Sequence, residues 1–141
     1  MKNKLIAIGI ILVFLMVGFS GCNSLQDEKS TLVNGGEWSA VYTNNLGFDI
    51  YKEYVFLNDK DYTSDERWYE NFQDINYGYH MRYKSSGTYQ ISDNRIYLDE
   101  DEKQFWSDYS NFWEDTDCTS YDYSLEIIDS NTIKIDGNEY H

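Results

Sequence analysis

Hydrophobic positions along this chain fall into two regimes. Leu5 to Phe19 is one continuous apolar block of 15 residues, with Met-Lys-Asn-Lys before it and Ser20-Gly21-Cys22 after it. From Glu37 onward apolar and polar residues alternate with a period near two, the pattern of half-buried strands. Trp38, Ala40 and Tyr42 share one face, and Ser39, Val41 and Thr43 the other. Tyr51 to Leu57 is rich in Tyr, Val and Phe and stops at the turn residues Asn58-Asp59-Lys60. Asn76 to Tyr83 places Tyr77, Tyr79, Met81 and Tyr83 on one face, and Ser85-Ser86-Gly87 breaks it. Thr88 to Ser92 turns at Asp93-Asn94 into Arg95 to Leu98; this two-residue loop tolerates the positive φ of a tight hairpin. Tyr121 to Ile128 pairs with Thr132 to Ile135 through Asp129-Ser130-Asn131, and Asp136-Gly137 marks a further turn. Seven strands are expected. The absence of proline suits an antiparallel sheet that curls or closes.

Two stretches depart from that period. Phe105, Trp106, Tyr109, Phe112 and Trp113 fall at the spacing of one helix face, with the acidic run Asp99 to Glu102 at its N-terminal end, where the helix dipole favours negative charge. Trp68, Tyr69, Phe72 and Ile75 repeat the spacing, and Thr63 with Glu66 has the form of a capping box. One or two short helices are therefore expected. Asn23 to Gly36 is polar apart from Leu25, Leu32 and Val33, and reads as a flexible tether.

The opening block is too short for a spanning helix, which needs about 20 apolar residues. A positive start, a short apolar run and a small-residue cleavage site form a secretory signal. With Cys22 directly after Ser20-Gly21, it resembles the lipobox of prokaryotic lipoproteins, although Phe19 stands where Leu is usual. The resemblance implies acylation of Cys22 and removal of residues 1–21. It also implies a partnership with the membrane through the lipid, and an extracytoplasmic location. An uncleaved N-terminal anchor and plain secretion are the alternatives, and both place the rest of the chain outside the cytoplasm.

Composition narrows the function classes. Without Lys2 and Lys4, 9 basic residues face 25 acidic ones, a charge of −16. Such a surface repels nucleic acid, so no nucleic-acid partner is expected. The 23 aromatic residues beyond Cys22 argue against disorder. Cys118 is left without an intrachain partner once Cys22 is acylated, and is expected to be a free, packed thiol.

Gly36-Glu37-Trp38 on the first strand and Thr116-Asp117-Cys118-Thr119-Ser120-Tyr121 before the last hairpin resemble two motifs of lipocalins and related calycin barrels. The second has Cys118 where that family has Tyr. No arginine follows Arg95 to pack across Trp38 as the family's last strand provides. The resemblance implies a mainly β fold, an antiparallel lipocalin-like small or partly open β-barrel. The expected divisions are a lipoprotein signal peptide over 1–21, a tether over 22–36 and the barrel domain over 37–141. It further implies that Trp38 is structural and that any ligand sits at the barrel mouth.

Candidate chemistry is sparse. Asp59, Asp61, Thr63 and Glu70 fall at positions 1, 3, 5 and 12 of a calcium-loop template, as do Asp115, Asp117, Thr119 and Glu126. Ser64 and Ser120 replace the glycine of the sharp turn, so solvated turns are the plainer reading, and no metal or cofactor is assigned. His80 has no second histidine nearby to suggest zinc. No catalytic residue is assigned. The expected function is a non-catalytic binding module for a small hydrophobic molecule or an envelope component. Trp68, Tyr69, Trp106 and Trp113 would line the pocket mouth. A structural envelope protein with a filled barrel, and a carbohydrate- or calcium-binding surface domain, are the alternatives.

Overall fold

A computed structural model describes residues 27–70 and 78–141. Cys22 and its leader, and Phe72, Ile75, Asn76 and Tyr77, lie outside the described residues. Among the described residues, one short helix, α1 (residues 27–34), precedes nine strands. These are β1 (Glu37–Thr43), β2 (Asp49–Phe56), β3 (Asp61–Tyr69), β4 (Met81–Ser92) and β5 (Arg95–Ser107). They continue as β6 (Trp113–Asp115), β7 (Ser120–Asp129), β8 (Thr132–Ile135) and β9 (Asn138–Tyr140).

Every neighbouring pair is antiparallel, in the order β1-β2-β3-β4-β5-β7-β8-β9. Ser39 and His141 exchange N–H···O bonds of 3.0 and 3.1 Å, which bring the end of the chain onto β1. The sheet is thus a nearly closed antiparallel barrel. β5 is longer than the barrel wall: Arg95–Asp99 pairs with β7, and Gln104–Trp106 pairs with the short β6 outside the main path.

Local chemistry explains the wall. The face of Trp38 and Ala40 is buried as the alternation predicts. Asp93 and Asn94 take φ of 53° and 59°, and Asp136 and Gly137 take 53° and 77°, the positive values a two-residue hairpin loop requires. Gly36, at φ 73°, ends the turn after α1 and releases the chain into β1. One end of the barrel is packed with apolar side chains, among them Trp38, Phe56, Tyr89, Ile91, Ile96 and Ile133.

Several expectations are corrected. The tether is a helix over 27–34, and its Leu32 is fully buried in the core. Trp38 Nε1 donates to the Leu32 carbonyl at 2.8 Å, so α1 is fixed against the core beside β1. The stripe from Phe105 to Trp113 is no helix: β5 runs to Ser107, Asn111 turns at φ 58°, and Trp113 returns opposite Trp106. Pairing with β4, Tyr83 opposite Phe105, outweighs the local spacing. Thr63 to Tyr69 belongs to β3, and Glu66 bonds across the sheet to Lys52 rather than back to a helix start. Ser85-Ser86-Gly87 does not break a strand; β4 passes through it with a bulge at Ser86/Gly87. Cys118 is free among the described residues but exposed, because the segment joining β6 to β7 crosses the outside of the barrel.

Candidate functional site

The inward face changes character along the barrel axis. Beyond the apolar end, the inward positions of β2 are Lys52 and Tyr54, and those of β3 are Tyr62, Ser64 and Glu66. β5 contributes Leu98 and Glu100, and β7 contributes Tyr121 and Tyr123. Together they line a partly open cavity of about 240 Å³.

Two ion pairs are built into this lumen. Lys52 Nζ lies 2.9 Å from Glu66 Oε2, and both side chains are largely withdrawn from solvent. Glu66 Oε1 accepts the indole N–H of Trp68 at 2.7 Å. Lys103 Nζ lies 3.3 Å from Glu100 Oε1 and donates to the Tyr121 hydroxyl at 3.0 Å. The Glu100 side chain is only 4% exposed, and its second oxygen, Oε2, has no hydrogen-bond partner among the described residues. The lysine heads also sit over rings: Lys52 is 5.1 Å from the Tyr54 centroid, and Lys103 is 5.6 and 5.7 Å from those of Tyr83 and Tyr121. Ser64 and Ser85 bridge their hydroxyls at 2.7 Å on the same wall.

These contacts set the charge states. Burial would raise Glu66, but the Lys52 ammonium and the Trp68 N–H hold it below the ordinary glutamate range. Burial would lower Lys52, and Glu66 keeps it above the usual lysine value. Lys103 is likewise raised against its burial by Tyr121 and Glu100. Burial pushes Tyr54 well up and Tyr123 up to about 12, so these phenols stay neutral hydrogen-bond donors.

The four aromatic residues expected at a pocket mouth do not share one face. Trp68 points inward at the rim, 5.6 Å from the Phe48 ring and 6.3 Å from that of Tyr83. Tyr69, Trp106 and Trp113 lie on the outer face. Tyr79 joins two of them, at 6.3 Å from Tyr69 and 5.1 Å from Trp106, and Arg82 and Lys84 cover Trp113. None of Lys52, Glu66, Glu100 and Lys103 is expected from the sequence to face the lumen; Glu66 and Glu100 read there as a helix cap and part of an acidic run. A signal existed: Ile50, Lys52, Tyr54 and Phe56 share a strand face, and so do Tyr62, Ser64, Glu66 and Trp68.

Other clusters offer less. A wider groove of about 670 Å³, open to solvent, is lined by Asp65, Lys84, Asp101, Asp115 and Cys118 among others. Desolvation and the Glu100 carboxylate push the Cys118 thiol up, the opposite of an activated nucleophile. His80 bonds Asp108 at 2.6 Å. In the first calcium-loop candidate, Asn58 Oδ1 accepts the N–H groups of Lys60 and Asp61 and so closes an ordinary turn. Among the described residues, no group of three or more His, Cys, Asp or Glu side chains is placed to hold a metal ion. Compared with known proteins, the chain matches no family model and no curated sequence.

Proposed function

We propose that this chain is a lipid-anchored, extracytoplasmic, non-catalytic binding module of the lipocalin-like kind that takes a small molecule, or a small group of an envelope component, into its barrel. The observation that carries the binding half is the cavity that Glu100 helps to line, together with a buried Glu100 Oε2 that has no hydrogen-bond partner among the described residues. A buried acceptor oxygen without a partner costs free energy that a bound donor would relieve. The anchoring half rests on the residues before Asn23: the charged start, the short apolar run and Ser20-Gly21-Cys22. The lining turns the expected ligand from an oily molecule to a polar one, since the Lys52–Glu66 pair, Glu100 and several phenols line the space. The aromatic packing of the other end, with Trp38, Phe56 and Tyr89, favours a second reading, a filled barrel serving as a scaffold.

Both halves are open to test. Cys22→Ala is expected to release the protein from membranes or leave its leader uncleaved; membrane retention with normal processing would overturn the anchor. Native mass spectrometry of protein purified from its own membranes is expected to show a bound molecule of metabolite size. A bare chain that no small-molecule probe shifts would leave the scaffold.

A further inference from the structure

We infer that the lumen selects a small organic ammonium ion, a protonated primary or secondary amine, over neutral and anionic molecules of the same size; this rests on the lumen being a binding site. The first ground is the unmet acceptor. Glu100 Oε1 is taken by Lys103, while Oε2 is buried and bare. A buried carboxylate oxygen needs a hydrogen-bond donor, and a charged N–H makes the strongest such bond.

The second ground is what the same walls already hold. Tyr54, Tyr83 and Tyr121 each carry a lysine ammonium within the distance at which a ring face attracts a cation. The chain's own lysines thus show which chemistry these rings and carboxylates accept. The rings of Tyr62 and Tyr123, on the wall of the same cavity, extend that surface.

Electrostatics sets the sign of the ligand. Lys52 and Lys103 cancel Glu66 and Glu100 inside, so the paired charges favour neither sign and the bare acceptor of Glu100 is what favours a donor. Outside, the chain carries a formal charge of −14, which concentrates cations and repels anions at the mouth. Size sets the rest. A volume of about 240 Å³ equals that of about eight waters, enough for a small metabolite and too little for a lipid chain or a polymer.

The test is calorimetric titration of the full chain in detergent, in an amine-free buffer at neutral pH. The four probes are butylamine, butan-1-ol, butyrate and erythritol. Butylamine is expected to saturate one site at least about tenfold more tightly than the other three, the factor a single charge-assisted hydrogen bond supplies. Glu100→Gln is expected to remove that preference while the far-ultraviolet spectrum stays that of the wild type. Should that variant not fold, Ser64→Leu fills the cavity from β3 and is expected to abolish butylamine binding. Equal binding of butan-1-ol or erythritol, or full amine affinity in a folded Glu100→Gln protein, would overturn the ammonium assignment and leave the binding module standing. No saturation by any probe, with nothing carried through purification, would overturn both.

Discussion

At the scale of single residues, Gly87 is where the fold is least forgiving. A Cβ there would lie 1.9 Å from the Asp99 carbonyl oxygen and 2.9 Å from the Glu100 Cα. The reason is the bulge: Gly87 faces Glu100 while Ser86 faces Glu102, so Asp101 is the extra residue. The offset lets Glu100 and Lys103 both point inward, where they meet. Gly87→Ala is therefore expected to cost about 1–3 kcal/mol, as overpacking does. Urea unfolding checks it: the midpoint should fall with little change in slope, and an unmoved midpoint would mean the two strands part freely. The sequence alone reads this glycine as the end of a strand, because a glycine after two serines is turn chemistry. Only the nearness of β5 shows that it permits a close approach instead.

Among the elements, α1 has the largest effect for its size. It contributes Leu32 to the core and a carbonyl to the indole of Trp38. Lys29 adds a bond to the Asp59 carbonyl at 3.0 Å, tying the helix to the β2–β3 turn. Leu32→Ala should destabilise the barrel by about 2–5 kcal/mol, the usual range for a buried leucine. A tether residue would show no such effect, so an unchanged thermal midpoint in the variant would contradict the packing described. Helical periodicity misleads over residues 105–113. Aromatic residues at i, i+1, i+4 and i+7 fit a helix face, but they also fit two strands joined by a turn, as Trp106 and Trp113 are. A single short helix with one buried leucine gives too weak a periodic signal to be seen in a polar stretch.

For the whole molecule, the consequence of a charged lumen is a pH dependence of known sign. Glu66 is held below its ordinary value by Lys52, and Asp65, on the outer face, is held down against its burial by the guanidinium groups of Arg82 and Arg67. A depressed carboxylate contributes stability above its unfolded value and loses it as pH falls through the folded value. Relief of repulsion among 25 acidic residues works in the opposite direction, so the wild-type curve alone mixes the two. Comparison with Glu66→Gln separates them. The stability gap between the two proteins should be full at neutral pH and shrink toward zero on acidification below the glutamate range. Urea midpoints taken from pH 7 to pH 3 measure it, and a gap that holds constant would mean that the Lys52–Glu66 pair contributes nothing.

Strand faces, the hairpin loops at Asp93-Asn94 and Asp136-Gly137, and the inward position of Trp38 follow from the sequence by itself. Alternation and turn chemistry depend on residues adjacent in the chain, so local reading suffices for them. Closure through Ser39 and His141, the docking of α1, the exposure of Cys118 and the polar lumen were decided only by the tertiary structure. Each of these joins residues far apart in sequence. Lys52 reads as one charged residue on a mostly apolar face until the pairing of β2 with β3 sets it opposite Glu66. A charge on an inward face is costly alone and tolerated when paired. No local pattern reports whether a partner will be there, because the partner arrives with the fold.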